Sequence, residues 1–110
     1  MNHVIEIRTL TLKPNTRDEF NRLYIQEALP RLKRWNFDVV AHGPSLHDEN
    51  TCYVIRRYDS LTQREQMEDA YYTSDDWRQG PRGSMLALIE SYVDVVLEVD
   101  DVTVDGLRTG

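Results

Sequence analysis

The sequence predicts an α+β fold of the ferredoxin-like type, with the element order β-α-β-β-α-β and an antiparallel sheet. Two segments with a two-residue apolar period lie near the ends of the chain, at residues 3–12 and 91–99. Two shorter apolar runs, residues 37–41 and 51–58, flank a polar loop and predict a central hairpin. Helical segments separate this hairpin from each terminal strand. Right-handed crossovers then place both helical layers on one side of the sheet.

The first helical segment has clear start and stop signals. Residues 16–19, Thr-Arg-Asp-Glu, have the pattern of a capping box. Pro30 lacks an amide hydrogen and predicts a kink or break near residue 29. Asn36 predicts a left-handed residue at the end of the helix. The apolar positions recur at spacings of three and four, as expected for one buried stripe: Phe20, Leu23, Tyr24, Ala28 and Leu32.

The second helical region is predicted in three pieces. Residues 60–63, Ser-Leu-Thr-Gln, form another capping box and open a helix through about Tyr72. Residues 74–77, Ser-Asp-Asp-Trp, start a short turn with two carboxylates near its positive end. Pro81 is placed in the first turn of a further helical segment.

Length and charge limit the classes of protein that the chain can belong to. The 110 residues predict a single domain, 1–110, with its core at about 3–99 and an acidic tail at about 100–110, interpreted as frayed or as an added strand. The net charge of −6 disfavours nucleic acids and anionic membranes as partners. Because no signal run and no stretch of about 18 apolar residues occurs, we expect a soluble cytoplasmic protein. Cys52, the only cysteine, excludes an intrachain disulfide.

Strand alternation predicts which residues share a face of the sheet. The purely apolar positions, Ile5 and Ile7 in the first strand and Val93, Val95 and Leu97 in the last, are expected to face the helices. The opposite face would carry a mixed set: Val4, Glu6, Arg8, Leu10, Asp38, Val40, His42, Tyr92, Asp94 and Val96. The third strand adds to it either Val54, Arg56 and Tyr58 or Tyr53, Ile55 and Arg57. Because this mixed face is half apolar, we expect two copies to dimerise through it.

Four segments of the chain resemble the NIPSNAP family: residues 5–10, 37–40, 57–61 and 74–82. The resemblance extends from about residue 3 to residue 98, and residues 74–82 are its most specific part. Asn36 departs from the glycine expected there, although asparagine tolerates the same backbone conformation. The resemblance implies a dimeric α/β-barrel. The wider superfamily contains cofactor-free monooxygenases, haem-degrading oxygenases, isomerases and proteins without known activity, so the fold alone does not assign a reaction.

Six residues are candidates for a functional site. His42 is the candidate catalytic base, since its ordinary pKa is near neutrality; the alternative is an edge-strand histidine near solvent. Arg8 and Asp94 lie on strands expected to pair, where they form either a structural ion pair or the polar lining of a cavity. Trp77 is either a packing residue or a stacking platform for a ligand. Arg82 either caps helix carbonyls or holds an anion, and Tyr92 adds an aromatic ring to the candidate ligand-binding set.

These residues predict a homodimer with a pocket for a small, partly aromatic ligand between sheet and helices. By analogy with the superfamily that the resemblance implies, the activity would be that of a cofactor-independent monooxygenase or isomerase. No cofactor is expected, because no motif for metal, flavin or haem is found and the three histidines lack metal-ligand spacing. The principal alternative is a non-catalytic assembly or protein-interaction module. Haem handling ranks third.

Overall fold

Four strands and six short helices make up most of residues 2–108, the part of the chain that the computed structural model describes. The strands are β1 (Asn2–Leu12), β2 (Asp38–Pro44), β3 (Thr51–Tyr58) and β4 (Ile89–Asp100). The helices are α1 (Arg17–Leu23), α2 (Leu29–Arg34), α3 (Leu61–Tyr72), α4 (Asp75–Arg78), α5 (Arg82–Leu86) and α6 (Asp101–Leu107), and a π-helical turn (Tyr24–Ala28) joins α1 to α2. Within these residues no helix is both long and apolar enough to cross a membrane.

The sheet is antiparallel throughout and has the strand order β2-β3-β1-β4. This is the order of a ferredoxin-like fold, which confirms the predicted fold class. The central strand β1 pairs with β3 and β4, so Arg8 has Val54 as its neighbour on one side and Asp94 on the other. An irregularity in the pairing of β2 lies between Val39 and Ala41.

The first helical segment changes its pitch before Pro30 instead of breaking. Pro30 cannot donate a backbone hydrogen bond, and the π-helical turn directly precedes α2. Asn36 has a φ of 65°, as predicted for the end of the segment. The predicted capping box at Thr16 does not form, because its hydroxyl donates to the carbonyl of Lys13 at 2.7 Å.

Hydroxyl caps define the starts of α3 and α4, as the sequence predicts. The Ser60 hydroxyl accepts a hydrogen bond from the amide of Gln63 at 3.0 Å. The Ser74 hydroxyl accepts one from the amide of Trp77 at 3.3 Å. Each cap supplies a partner for one of the free amides of a first turn.

The face assignment from the sequence is wrong, although the grouping of most residues is right. The main core between the sheet and α1–α5 contains Val4, Leu10, Val54 and Tyr58, and Val96 packs against it. Ile5 belongs to a second cluster on the opposite face, with Ile7 packed against it. Among the described residues of β4, those left exposed include Val93, Val95 and Leu97. The helices therefore cover the mixed face. Its charged residues are accommodated there because they form ion pairs with one another.

The irregularity in β2 divides the residues that alternation had grouped together. Val39 packs with the helix-side core, whereas Val40 and Ala41 both belong to the cluster on the opposite face. His42 returns to the helix side, where its ring contacts Tyr24. Asp38 and His42 therefore lie on different faces, because one irregular position shifts the two-residue period.

The acidic tail forms a helix on the sheet face opposite α1–α5, not a frayed end or an added strand. Asp100 caps α6 by accepting a hydrogen bond from the amide of Thr103 at 2.8 Å. Val104 is buried against Ile5 and its neighbours in the second cluster. Arg108 then holds Asp38 of β2 with two hydrogen bonds of 2.8 Å each. Residue 1 and residues 109–110 lie outside the described part of the chain.

We expect the docking of α6 to weaken at acidic pH. The hydrogen bond from Arg108 holds the pKa of the Asp38 carboxyl below its usual range. The resulting stabilisation is present above the ordinary aspartate range and is lost as the pH falls through that lowered pKa. Because both partners are partly exposed, the pair contributes about 1 kcal/mol or less. Amide hydrogen exchange in α6 should accelerate in Arg108→Met but not in Arg78→Met, and equal rates in both variants would contradict this role.

Candidate functional site

A cleft of about 390 Å³ lies between the sheet and the helices. Arg8, Leu10, Val54 and Arg56 line it from the sheet. The helices and their junctions contribute mostly apolar and aromatic side chains, among them Phe20, Tyr24, Ala28, Leu32, Tyr71, Tyr72, Trp77 and Met85. The volume and the apolar lining are those of a small-molecule pocket.

Tyr71 fixes one wall of the cleft. Its ring packs edge-on against Trp35, Phe37 and Tyr72, at centroid distances of 5.5, 5.6 and 5.0 Å. Trp77 contacts the same ring at 5.8 Å. Aromatic pairs of this kind stabilise a defined arrangement beyond simple burial, so this wall is preformed.

Asp76 anchors the aromatic wall from behind. Its carboxylate accepts a hydrogen bond from the indole nitrogen of Trp35 at 2.9 Å. It also accepts from Arg31 at 3.1 Å and from Arg34 at 3.0 Å. These bonds tie α4 to α2 and keep Trp77 beside the cleft.

Two tyrosines that line the cleft have buried hydroxyls without a hydrogen-bond partner among residues 2–108. Tyr24 and Tyr71 are both more than nine-tenths buried, and the oxygen of each is unpaired. Burial raises the pKa of Tyr71 to about 12 and also raises that of Tyr24, so both remain hydrogen-bond donors. Buried polar groups without a partner are rare in folded proteins and are costly. Each of these hydroxyls therefore retains a hydrogen-bond donor that the described residues do not use.

His42 lines a different cavity. This smaller space has a volume of about 170 Å³ and is also bordered by Arg17, Tyr24 and Cys52. The ring of Tyr24, held in the π-helical turn, lies 5.1 Å from that of His42 and borders both spaces. Burial lowers the pKa of His42, which favours the neutral imidazole. The structure thus does not bring the predicted base to the cleft that holds Arg8.

Arg8 and Asp94 form the ion pair expected from their strands. The Arg8 guanidinium donates to both carboxylate oxygens of Asp94, at 2.8 and 3.0 Å, and to Glu6 at 2.9 Å. It also lies 4.6 Å from the centre of the Tyr92 ring. Burial alone would raise the pKa of Asp94, but the hydrogen bond from Arg8 and the nearby guanidinium charges lower it. Asp94 therefore positions Arg8 within the site.

Glu6 lies at the centre of an ionic cluster below the cleft. Its side chain is fully buried, and its oxygens lie 2.9 Å from Arg8, 3.3 Å from Arg56 and 3.5 Å from Arg64. The Tyr58 hydroxyl is 3.3 Å from Glu6 and 2.8 Å from Glu68. Burial raises the pKa of Glu6, and the neighbouring carboxyl of Glu68 adds to that effect, while Arg56 and Arg8 oppose it.

The remaining predicted site residues lie at different distances from the cleft. Trp77 lines the wall, and Tyr92 lies at the rim with 56% of its surface exposed. Arg82 is exposed at the start of α5 and does not line the cleft. Among residues 2–108 no group of three or more His, Cys, Asp or Glu side chains could hold a metal ion. The guanidinium groups of Arg8 and Arg56 supply hydrogen-bond donors on the sheet side of the cleft.

The residues of the site that the sequence did not identify include Arg56, Tyr58 and Glu68. Arg56 and Tyr58 appeared only as one of two alternatives for the face of β3. Glu68 gave one local signal, its spacing of four residues from Arg64 on α3, where the two side chains form an ion pair at 3.4 Å. That spacing is common on exposed helices and does not by itself indicate a buried cluster.

The strand order and the helix-covered cleft define a ferredoxin-like α+β protein whose other sheet face is covered only in part, by α6. Residues 5–97 match the sequence pattern of the NIPSNAP family, and this chain belongs to that family. The match confirms the resemblance found in the sequence. The comparison with curated proteins finds no significant match.

Solved structures of NIPSNAP proteins share this fold at low sequence identity. A NIPSNAP family protein from Agrobacterium tumefaciens is 16% identical, with a TM-score of 0.81 over 90% of this chain and 87% of that one. An uncharacterized NIPSNAP domain protein from Burkholderia xenovorans is also 16% identical, with a TM-score of 0.80 over 89% of this chain and 95% of that one. A putative antibiotic biosynthesis monooxygenase from Bacteroides thetaiotaomicron is 14% identical, with a TM-score of 0.61 over 86% and 85% of the two chains. These likenesses establish the fold alone.

Proposed function

We propose that this protein is a homodimer that binds a small, partly aromatic molecule in the cleft between its sheet and its helices. The observation that carries the proposal is a pair of buried hydroxyls, on Tyr24 and Tyr71, that have no partner in the described part of the chain and belong to side chains lining a cleft of about 390 Å³. A ligand with oxygen acceptors would accept a hydrogen bond from each hydroxyl. Binding would then remove the free-energy penalty of burying these two groups without a partner. The aromatic wall provides flat apolar surface for the rest of the molecule.

The polar groups of the cleft favour a ligand with oxygen atoms at one end. Arg8 and Arg56 line the sheet side, near the ionic cluster, while Leu32, Trp77 and Met85 line apolar parts of the cavity. A planar ring carrying hydroxyl or carbonyl groups matches this division of polar and apolar surface. Phenols, enols and quinones have that chemistry.

Catalysis without a bound cofactor, as an oxygenase or an isomerase, is the activity we favour for the cleft. The fold shared with the putative antibiotic biosynthesis monooxygenase supports this by analogy of fold. The buried carboxylates and tyrosine hydroxyls supply groups that can move protons. The alternative function, a non-catalytic interaction module, is favoured by the apolar strip exposed on β4. Turnover of a bound ligand would separate the two.

Binding of 1-naphthol and 1,4-naphthoquinone tests the proposal. Calorimetric titration should show binding of at least one compound to the wild-type protein. Tyr71→Phe keeps the ring but removes the donor, and should weaken binding about tenfold, which corresponds to about 1.4 kcal/mol. Tyr53→Phe, a tyrosine that does not line the cleft, should bind like the wild type. Equal affinities in both variants, or no binding of either compound, would contradict the proposal.

The proposed dimer uses the sheet face opposite α1–α5. Val93, Val95 and Leu97 alternate along β4 and are 63%, 49% and 43% exposed. α6 covers the neighbouring part of the same face, so this strip is the apolar surface that a second copy would bury. Light scattering coupled to gel filtration should give twice the chain mass of 12.9 kDa. A stable monomer at micromolar concentration would refute the dimer.

A further inference from the structure

We propose that Glu68 exchanges a proton with the ligand in the cleft, and that Tyr58 and Glu6 are positioning residues that hold a second proton behind it. The inference rests on the proposed function, because it assumes that a ligand occupies the cleft. It assigns the acid–base role to α3 and β1 and not to His42. The ligand class that it implies is a weak organic acid, such as a phenol or an enol.

The first step of the argument is the position of the Tyr58 hydroxyl. It lies 2.8 Å from a carboxylate oxygen of Glu68 and 3.3 Å from one of Glu6. A hydroxyl carries one hydrogen and can donate it to only one carboxylate. The contact with the other carboxyl group, which receives no hydrogen from Tyr58, is favourable only if that group is protonated and donates to the hydroxyl oxygen. The geometry therefore accommodates one additional proton on the Glu6–Tyr58–Glu68 triad.

The additional proton can be placed in two ways, which use the same two hydrogen bonds with their directions reversed. In one, Glu6 is protonated and donates to Tyr58, which donates to Glu68. In the other, Glu68 is protonated and donates to Tyr58, which donates to Glu6. Interconversion moves one proton along each contact and leaves no charge on the tyrosine, so the triad can deliver a proton from a fully buried site to the cleft.

The guanidinium groups around the triad oppose its protonation, whereas the burial of Glu6 and the adjacent Glu68 carboxyl group favour it. Three guanidinium groups, Arg8, Arg56 and Arg64, face three carboxyl groups, Glu6, Glu68 and Asp94. With one proton on the triad, the cluster carries one net positive charge. That charge favours an anion in the adjoining cleft.

Glu68 is the member of the triad that can reach a ligand. It lines the cleft and keeps 15% of its side-chain surface exposed, whereas Glu6 is fully buried and does not line it. Arg64, four residues earlier on α3, and Arg8 lie 3.4 and 3.7 Å from the Glu68 carboxylate. These contacts hold the carboxylate beside Arg8, which also lines the cleft.

The proposed step is a proton transfer without a change of oxidation state. The O–H bond of the ligand breaks, its electron pair stays on the ligand oxygen, and the proton forms a new O–H bond with Glu68. The resulting ligand anion faces Arg8, and the tyrosine hydroxyls of the cleft can donate to it. Return of the proton to the same or to another atom of the ligand regenerates the carboxylate.

A coloured phenol tests the step. 4-Nitrophenol absorbs visible light as the phenolate but not as the phenol. At a pH where the free probe is mainly protonated, the wild-type protein should bind it as the phenolate and release less than one proton per probe to the buffer. Absorbance gives the first quantity, and titration calorimetry in buffers of different ionisation enthalpy gives the second.

Glu68→Gln should lose this behaviour, and Glu65→Gln, an exposed residue of the same helix, should keep it. Without the Glu68 carboxylate the bound probe either stays a neutral phenol or gives a full proton to the buffer. Binding of the neutral phenol by the wild-type protein, or identical proton balance in wild type and Glu68→Gln, would overturn the inference. A probe that does not bind at all would count against the proposed function.

A measurement on the free protein decides the inference independently of any ligand. With carboxyl-labelled glutamate, carbon-13 spectra at neutral pH should show one glutamate side chain in the acid form. The signal of this protonated glutamate should disappear in Glu6→Gln and persist in Glu65→Gln. If Glu6→Gln does not fold, Tyr58→Phe should change the pH at which the same signal titrates. A fully ionised set of glutamates in the folded wild-type protein would overturn the stored proton.

Discussion

Phe37→Ala should lower the free energy of unfolding by about 3–5 kcal/mol, because it leaves a cavity in the middle of the core. Phe37 is only 5% exposed and packs edge-on against Tyr58 at 6.2 Å and Tyr71 at 5.6 Å. The guanidinium of Arg56 lies 5.3 Å from its ring centre. This residue thus connects the ionic cluster to the aromatic wall. Urea unfolding followed by circular dichroism measures the loss.

Ile25→Ala is the matched control for this cavity. Ile25 is 45% exposed in the π-helical turn, so its truncation removes little buried surface and should cost about 1 kcal/mol or less. A cost for Phe37→Ala no larger than that of Ile25→Ala would mean that the core around Tyr58 and Tyr71 is not packed as described.

Val96→Asp and Leu97→Asp should have opposite effects on folding and on assembly. Val96 packs against the core beneath the helices, so an aspartate there should destabilise the fold by about 2–4 kcal/mol. Leu97 points to the open sheet face, where an aspartate should leave the fold largely intact. If that face forms the dimer, Leu97→Asp should raise the dissociation constant at least tenfold, because each copy brings a charge into the interface.

Thermal unfolding and analytical ultracentrifugation of the same two variants separate these effects. Val96→Asp should melt at a lower temperature, and Leu97→Asp should sediment as a folded monomer. The reverse result, an unfolded Leu97→Asp and a stable Val96→Asp, would restore the face assignment made from the sequence. A dimer that survives Leu97→Asp unchanged would place the interface elsewhere.

The element order and one part of the site could be predicted because they depend on local signals. Strand period, serine caps and the positive φ of Asn36 are properties of a few neighbouring residues. The pairing of Arg8 with Asp94 followed from the strand order, which the element order fixes in a ferredoxin-like fold. Both predictions are confirmed by the structure.

The orientation of the sheet could not be predicted from alternation. A two-residue period shows which residues share a face, but not which face the helices cover. Glu6 and Arg8 resemble solvent-facing or interface residues until Arg64 and Glu68 are brought to them from α3, nearly sixty residues later in the chain. The buried ion pairs that result reverse the usual relation between charge and exposure.

The sequence predicted a pocket between sheet and helices, but it did not predict the C-terminal helix or most of the residues that line the cleft. α6 has seven residues and buries mainly Val104, which is too little for an apolar stripe to be recognised. The cleft combines side chains from β1, β3, β4 and α1–α5, which are spread over residues 8–92 of the chain. The unpaired state of Tyr24 and Tyr71 is a property of the packed chain alone.

The π-helical turn at Tyr24–Ala28 is equivalent to a one-residue insertion in an otherwise continuous helix. Each residue of an α-helix advances the side chain by about 100° around the axis. Deleting one residue of the turn, such as Gln26, would convert it to regular helix and rotate everything that follows by that angle relative to Tyr24. Leu32 would then leave the core while Tyr24 remained in it. The position of this small insertion therefore sets the phase between Tyr24 and Leu32, so that both side chains can line the same cleft.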